Sequence, residues 1–409
     1  MSAGTVKHWR EAATLMLVHC RTRFTPKRSP VENICESSDA VRKQTINSST
    51  EDLEILVLKR SSQSSFMPDF YVFPGGAAAN ADFSEKWLDV FGIASQKARD
   101  NLFGFARTKS NNSPMFSRRR DPEFSSIPSE IAFRICAIRE TFEESGVLIA
   151  RSTKSLHVVE SPWSILRANK EHCAVYHSEK DTTKLVEWRQ RVTADPMQFL
   201  GLCSDLGIVP DVWSLYDWSN WLTPPVPGNI KKKWTRFDTA FYLCCLKDLP
   251  CVAEDASETV HHKWVTPNEI LQDCQQGKAD FAPPQVYEMS RLCNFTSTHQ
   301  LLHFINERTG QPMEQMMPVL VNCADAKLYI LPGDTLYPSQ PDYTDGSKIP
   351  VFSQTLEELT KISSRKHRCI VVPLSKTPEA PQRVLLKLEC NITPPHNHVK
   401  PVVMDVQPN

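Results

Sequence analysis

AFRICAIRETFEESGVLIA, residues 132–150, sets Arg139, Glu140, Glu143 and Glu144 within little more than one helical turn and follows them with Gly146. A helix advances about 100° per residue. With Glu140 at zero, Glu143 falls near about −60° and Glu144 near about +40°, so the three carboxylates share one face. Ile131, Ile135, Ile138 and Phe142 fall between about 160° and 220°, on the opposite side. The pattern predicts a helix with an apolar stripe on a core and three carboxylates on an exposed face. Ser129, after Pro128, is the expected N-cap, and Gly146 suits a left-handed C-cap. Clustered like charges cost free energy unless a cation or an arginine offsets them. Arg139 is placed to restrain one carboxylate by a bidentate bond. Taken alone, an acidic helix face is more often solvated surface than a metal site.

The order of these residues argues for the second reading. R-E-x-x-E-E-x-G resembles the second half of the Nudix box, GX5EX7REUXEEXGU, with U a bulky aliphatic residue. Arg139, Glu140, Glu143, Glu144, Gly146 and Val147 match it, while Thr141 stands where an aliphatic residue is usual. Upstream, FPGG (73–76) is similar to the Gly-Gly entry of the box, through Gly75 and Gly76. The departure is one of length: 62 residues separate Gly76 from Arg139, where the box has 13. Ile131 occupies the place of the early box glutamate, which leaves Asp82 and Glu130 as alternatives for it.

Further segments resemble one Nudix subgroup, the peroxisomal acyl-coenzyme A diphosphatases. They are LKRSSQSSFMPDFYVFPGG, WSNWLTP, RFDTAFYLCCL and PPQVYEMSRLCNF, in order, within residues 9–335. The resemblance implies an α/β fold, the Nudix α/β/α sandwich with a mixed sheet. It also implies hydrolysis of coenzyme A and its acyl esters to adenosine 3′,5′-bisphosphate and (acyl-)4′-phosphopantetheine, with Mg²⁺ or Mn²⁺. Glu140, Glu143 and Glu144 are then the expected metal ligands, with Arg139 orienting them. The general base is a box glutamate or Glu258, a loop acid in DASETVHHKW. Peroxisome is the implied location, with cytosol or mitochondrion as alternatives because the chain ends in QPN rather than a Ser-Lys-Leu-type signal. The box alone also serves other nucleoside diphosphate derivatives, and a non-catalytic Nudix module that binds a nucleotide or a protein is the contrasting class.

A 3′-phosphate requires local cations, because the chain as a whole is neutral, with 47 Lys+Arg against 47 Asp+Glu. Candidates are Arg60, Arg118 to Arg120, Lys231 to Lys233 and Arg236, of which Arg236 adjoins a recognised segment. That balance gives no field for nucleic acid or anionic membrane surfaces, and the resemblance implies a small-molecule partner, coenzyme A or an acyl-CoA. No apolar run is long enough to span a bilayer. The 13 cysteines are scattered without a CxxC pair, which predicts reduced thiols rather than a disulfide framework or zinc site. The Trp-rich stretch 213–221 reads as core or as a wall of the pantetheine site. Adjacent His261 and His262, on a strand, point to opposite faces and are not a metal pair.

The expected organisation is a Nudix domain over 9–280 with an insertion at about 77–128, a helical and hairpin extension at 281–335, and a weakly defined segment at 336–409. Helices are expected at 84–94 (capped by Ser84), 182–193, 196–206, 267–276, 283–294 and 297–308. Strands are expected in ATLMLVHC, at 53–60, 237–246 and 261–265, and in a hairpin at 317–334 turning at Asp325.

Overall fold

The computed structural model describes residues 9–24, 49–64, 67–93, 95–96, 100, 113–154, 175–176, 182–225, 236–255, 258–308, 310–343, 349–373 and 384–403. The strands are β1 (Arg10–Phe24), β2 (Ser49–Arg60), β3 (Tyr71–Val72), β4 (Gly75–Ala77), β5 (Ala150–Ser152), β6 (Ile208–Pro210) and β7 (Tyr216–Leu222). They continue with β8 (Phe237–Cys245), β9 (Thr259–Val265), β10 (Gln315–Met316), β11 (Val319–Asn322), β12 (Lys327–Ile330), β13 (His367–Pro373) and β14 (Val384–Cys390).

Alternation along a strand sends successive side chains to opposite faces. Leu15 and Leu17 of β1, Leu56 and Leu58 of β2, and Tyr242 and Cys244 of β8 enter one core. Met16, Val18, Ile55, Val57, Leu243 and Cys245 enter another. A sheet apolar on both faces needs a layer on each side. On the first face lie α1 (Ser129–Ser145), α2 (Thr182–Ala194) and α3 (Gln198–Leu206). On the second lie α4 (Pro267–Gln275), α5 (Pro283–Leu292) and α6 (Thr298–Glu307). The sheet runs β10-β7-β8-β1-β2-β3, with β4 on β1 and β9 on β2. It is mixed, since β1 runs parallel to β8 and β10 to β7 while the other pairs are antiparallel. This is the predicted α/β/α sandwich.

β11 to β14 form a separate antiparallel sheet, with α7 (Leu356–Ile362) before its third strand. The hairpin turns at Asp325 as expected, and its strands pair onward with residues beyond 366. This sheet meets the sandwich through Tyr287 of α5, whose hydroxyl lies 2.7 Å from His367 Nε2.

Three local expectations are corrected. Residues 84–94 do not form one helix: a 3₁₀ turn, Asn80–Phe83, is followed by a single turn, Trp87–Val90, started by Lys86 rather than Ser84. Trp87 and Phe91 are drawn into the core there, and tertiary packing overrides the helical spacing. Pro128, not Ser129, is the N-cap of α1, and the Ser129 hydroxyl accepts from Arg120 Nε at 3.0 Å. Nor does α1 present an exposed acidic face, because β4 and its flanks cover it: Glu144 is 3% exposed. The tryptophan stretch is core, with Trp213, Trp218 and Trp221 buried on and just before β7.

Candidate active site

The carboxylates are set by two pieces of backbone that meet through their smallest residues. Gly75 and Gly76 pair with Thr14 and Ala13 of β1, and the Thr14 hydroxyl donates to Pro74 O at 2.7 Å. A side chain at Gly75 would fall 2.5 Å from Ala13 O, and one at Gly76 would fall 2.3 Å from Glu140 Oε2. Glycine is therefore required for β4 to lie between β1 and the carboxylates. The Gly75 amide donates to Glu144 Oε2 at 2.9 Å.

Arg139, 1% exposed, ties the cluster together. Nε and Nη2 grip Asp82 Oδ1 and Oδ2 at 2.8 and 3.0 Å. Nη1 reaches Glu140 Oε1 at 2.9 Å and Glu143 Oε1 at 2.6 Å. The bidentate partner is thus Asp82, and the box glutamates share the remaining nitrogen. Of the two early acids, Asp82 is the one brought to the box. Glu130 lies in the first turn of α1, nine residues before Arg139, about 13 Å away along the axis. Asp82 Oδ2 also accepts from Ala79 N at 2.8 Å, which orders the turn after β4.

Burial raises the pKa of all three box glutamates. Glu140 is pushed up to about 7 by desolvation, against the attraction of Arg139 and with repulsion from Glu143 and Asp82. Glu144 is raised well above the carboxylate range by burial and by Glu140, which the Gly75 amide and Arg60 only partly offset. Glu143 is raised by burial against Arg139. Each is therefore easier to protonate than a free carboxylate, an effect that a bound cation would reverse.

Glu258 stands at the rim. It is exposed, its carbonyl accepts from Ser61 N at 2.8 Å, and its charge acts on both Glu143 and Glu144. Arg60 precedes that Ser61 and acts on Glu144, while its guanidinium donates to Ser64 Oγ at 2.7 and 3.1 Å. The other basic candidates are not brought to the carboxylates. Arg236 precedes Phe237, which pairs with Arg10, four residues and about 13 Å along β1 from Thr14. It donates to Thr223 O and Tyr343 O at 2.9 and 2.8 Å and lies over Trp9. Arg118 binds Glu11 and buried Asp238, and Arg120 binds Glu11 and stacks on Phe83, so both fasten the insertion. Arg119 is exposed, and Lys231 to Lys233 lie outside the described residues. Arg189 of α2 does reach the site, donating from Nε to Glu143 O at 2.8 Å. No sequence pattern marks it.

The NUDT19 Nudix domain family matches residues 9–292, and the NUDT19 C-terminal domain family matches residues 320–377. The chain belongs to the NUDT19 family of Nudix hydrolases. The acyl-coenzyme A diphosphatase NUDT19 of Xenopus laevis is 38% identical to it, over 98% of both chains. Its counterpart from Gallus gallus is 37% identical, over 98% of this chain and 96% of that one. The human protein of that name is 32% identical, over 96% and 94%.

Nudix hydrolases generally use divalent metal ions, and the carboxylates described above fit one. Each holds one oxygen on a protein donor, Arg139 Nη1 or Gly75 N. Among the described residues the second oxygen of each accepts no protein hydrogen bond. The donors are all hard oxygens, the class that magnesium-like ions take. Among the described residues no three acids, histidines or cysteines close a ready cage. Magnesium-like ions keep several waters and need few protein ligands.

Proposed function

We propose that this protein is an acyl-coenzyme A diphosphatase, using Mg²⁺ or Mn²⁺ to split coenzyme A and acyl-CoA esters into adenosine 3′,5′-bisphosphate and (acyl-)4′-phosphopantetheine. The observation that carries the chemistry is the trio Glu140, Glu143 and Glu144, held by Arg139 and the Gly75 amide, the second oxygen of each accepting no hydrogen bond among the described residues. The near full-length match to proteins so named supports the substrate.

In the reaction a water oxygen joins one phosphorus of the diphosphate and the bridging P–O bond breaks. A bound divalent ion would neutralise phosphate oxygens and acidify a water. Glu140, Glu143 and Glu144 would hold it; Arg139, gripped by Asp82, orients the first two, and the Gly75 amide orients Glu144. Glu258 is our choice for the base that takes the water's proton, because it stands beside the trio on a separate element. Arg60 is our choice for the cation that meets substrate phosphate, and the Gly75–Gly76 backbone leaves room for close approach. The resemblance to the peroxisomal subgroup supports that organelle as the location, and a tagged protein that stays diffuse beside a punctate peroxisomal marker would rule it out.

The deciding experiment incubates purified protein with coenzyme A and Mg²⁺ or Mn²⁺, beside nucleotide sugars, dinucleotides and capped RNA, and identifies the products. Adenosine 3′,5′-bisphosphate from coenzyme A alone establishes the reading. Cleavage of the others with coenzyme A intact replaces the substrate, and no cleavage of any leaves a binding module.

A further inference from the structure

The last four carbonyls of a helix have no intrahelical donor. In α1 all four are filled, three of them from outside the helix. Phe142 O accepts from Gly146 N at 2.9 Å, the ordinary cap. Glu143 O accepts from Arg189 Nε at 2.8 Å. Glu144 O accepts from the Thr259 hydroxyl at 3.0 Å, and Ser145 O from Ala253 N at 3.0 Å. Two of these three donors flank Glu258 in sequence.

That segment is also braced within itself. Asp255 Oδ1 accepts from Thr259 N at 2.8 Å, and the Asp255 carboxylate accepts from Glu258 N at 3.1 and 3.2 Å. Thr259 is fully buried. Arg189 closes the arrangement from the α2 side. Among the described residues its Nη2 is buried without a hydrogen-bond partner. Burial lowers its pKa, and the charges of Asp255, Glu144, Glu254 and Glu143 partly offset that.

We propose that Arg189 and Thr259 are positioning residues for the diphosphatase reaction. They lock the segment bearing Glu258 onto the carbonyl end of α1, so that its carboxylate keeps a set place beside Glu143 and Glu144. The proposal rests on the hydrolytic reading above and adds to it two residues outside the Nudix box. Because the locked carbonyls belong to Glu143 and Glu144 themselves, any slip of the segment changes the spacing between the two acidic groups.

Thr259→Val keeps the shape and removes the hydroxyl. It should lower kcat about 10- to 100-fold, the scale on which small misplacements act, and leave KM for coenzyme A unchanged. Thr259→Ser should restore the rate, and Arg189→Met should behave like Thr259→Val. In a Glu258→Gln background the Thr259→Val loss should nearly vanish, because the residue it positions is already disabled. An equal loss in both backgrounds would reduce these contacts to helix capping and overturn the proposal, as would an undiminished rate in Thr259→Val. Amide exchange measures the lock without turnover. Residues 253–255, 258 and 259 should exchange faster in Thr259→Val and Arg189→Met while residues 129–142 stay as in the wild type. Should wild-type protein leave coenzyme A intact, the substrate reading fails, and unchanged exchange at those five residues would still refute the lock by itself.

Discussion

A carboxylate that is buried among other carboxylates weakens the fold. Glu144 is the clearest case: burial and Glu140 raise its pKa, and the Gly75 amide donates to it. Glu144→Gln keeps an acceptor for that amide and removes the repulsion. We expect hydrolysis to fall about 100-fold or more, as for loss of a group in or next to a metal shell, while the metal-free protein melts at the same temperature or higher. Turnover assays and calorimetry on one preparation check both halves, and a normal rate would remove Glu144 from the site. Gly76→Ala makes the opposite trade. Its Cβ would fall 2.3 Å from Glu140 Oε2, so the carboxylate must move or β4 must shift. Overpacking of this kind costs about 1–3 kcal/mol, and activity should fall with stability. A crystal structure of an active, unshifted Gly76→Ala protein would contradict the account.

At the scale of elements, the insertion raises the question of how a split motif is held in register. Its two ends are closed by ionic contacts rather than by chain continuity. Near the start, Asp82 binds Arg139 of α1. Near the end, Arg118 and Arg120 bind Glu11 of β1, and Arg118 also binds Asp238 of β8. Asp238 is fully buried and shared with Asn220 and Gln315. Arg118→Met therefore leaves a buried carboxylate short of its cation, a change that costs about 3–5 kcal/mol. Chemical denaturation should show a loss of that order, and a change below about 1 kcal/mol would mean the insertion is held elsewhere.

At the scale of the whole molecule, two histidines join the C-terminal part to the sandwich, and burial favours the neutral form of both. His367 Nδ1 faces Pro332 O at 2.7 Å, so it carries the proton, and Nε2 accepts from Tyr287. His398 Nε2 donates to Trp218 O at 3.1 Å and Nδ1 accepts from Val399 N at 2.8 Å. Burial lowers His367 to about 4 and His398 well below its usual value. A depressed histidine contributes stability that is fully present above the unfolded value near 6.5 and is lost as pH falls toward the folded one. For His367 that window runs from about pH 6.5 to about 4, worth about 3 kcal/mol across its width. The box glutamates, raised in the fold, act in the opposite sense in metal-free protein. The measurement is accordingly a difference: the melting temperature of wild type minus that of His367→Asn should shrink as pH drops from 7 to about 4.5. A pH-independent difference would show that His367 is not held neutral.

Much of this protein is determined by order and period along the chain. Apolar residues on both parities of β1, β2 and β8 demand a sheet covered on both sides, and R-E-x-x-E-E-x-G places three acids on one side of a helix whatever the rest of the fold does. Such information is local, because helical and strand geometry converts short spacing directly into direction. What surrounds those acids was decided only in three dimensions. Asp82 lies 57 residues from Arg139 and Thr259 lies 115 from Glu144, and no local pattern says that such pairs will touch. Glu144 was expected on an exposed face and is buried, because the covering layer comes from β4 rather than from its own helix. Arg236 beside a recognised segment and Arg118 to Arg120 in a charge run are candidate phosphate ligands by sequence. Folding commits Arg236 to carbonyl oxygens and Arg118 and Arg120 to Glu11 and Asp238. A charge near a motif in sequence has no fixed distance to it until strands pair, and that pairing separates a binding residue from a structural one.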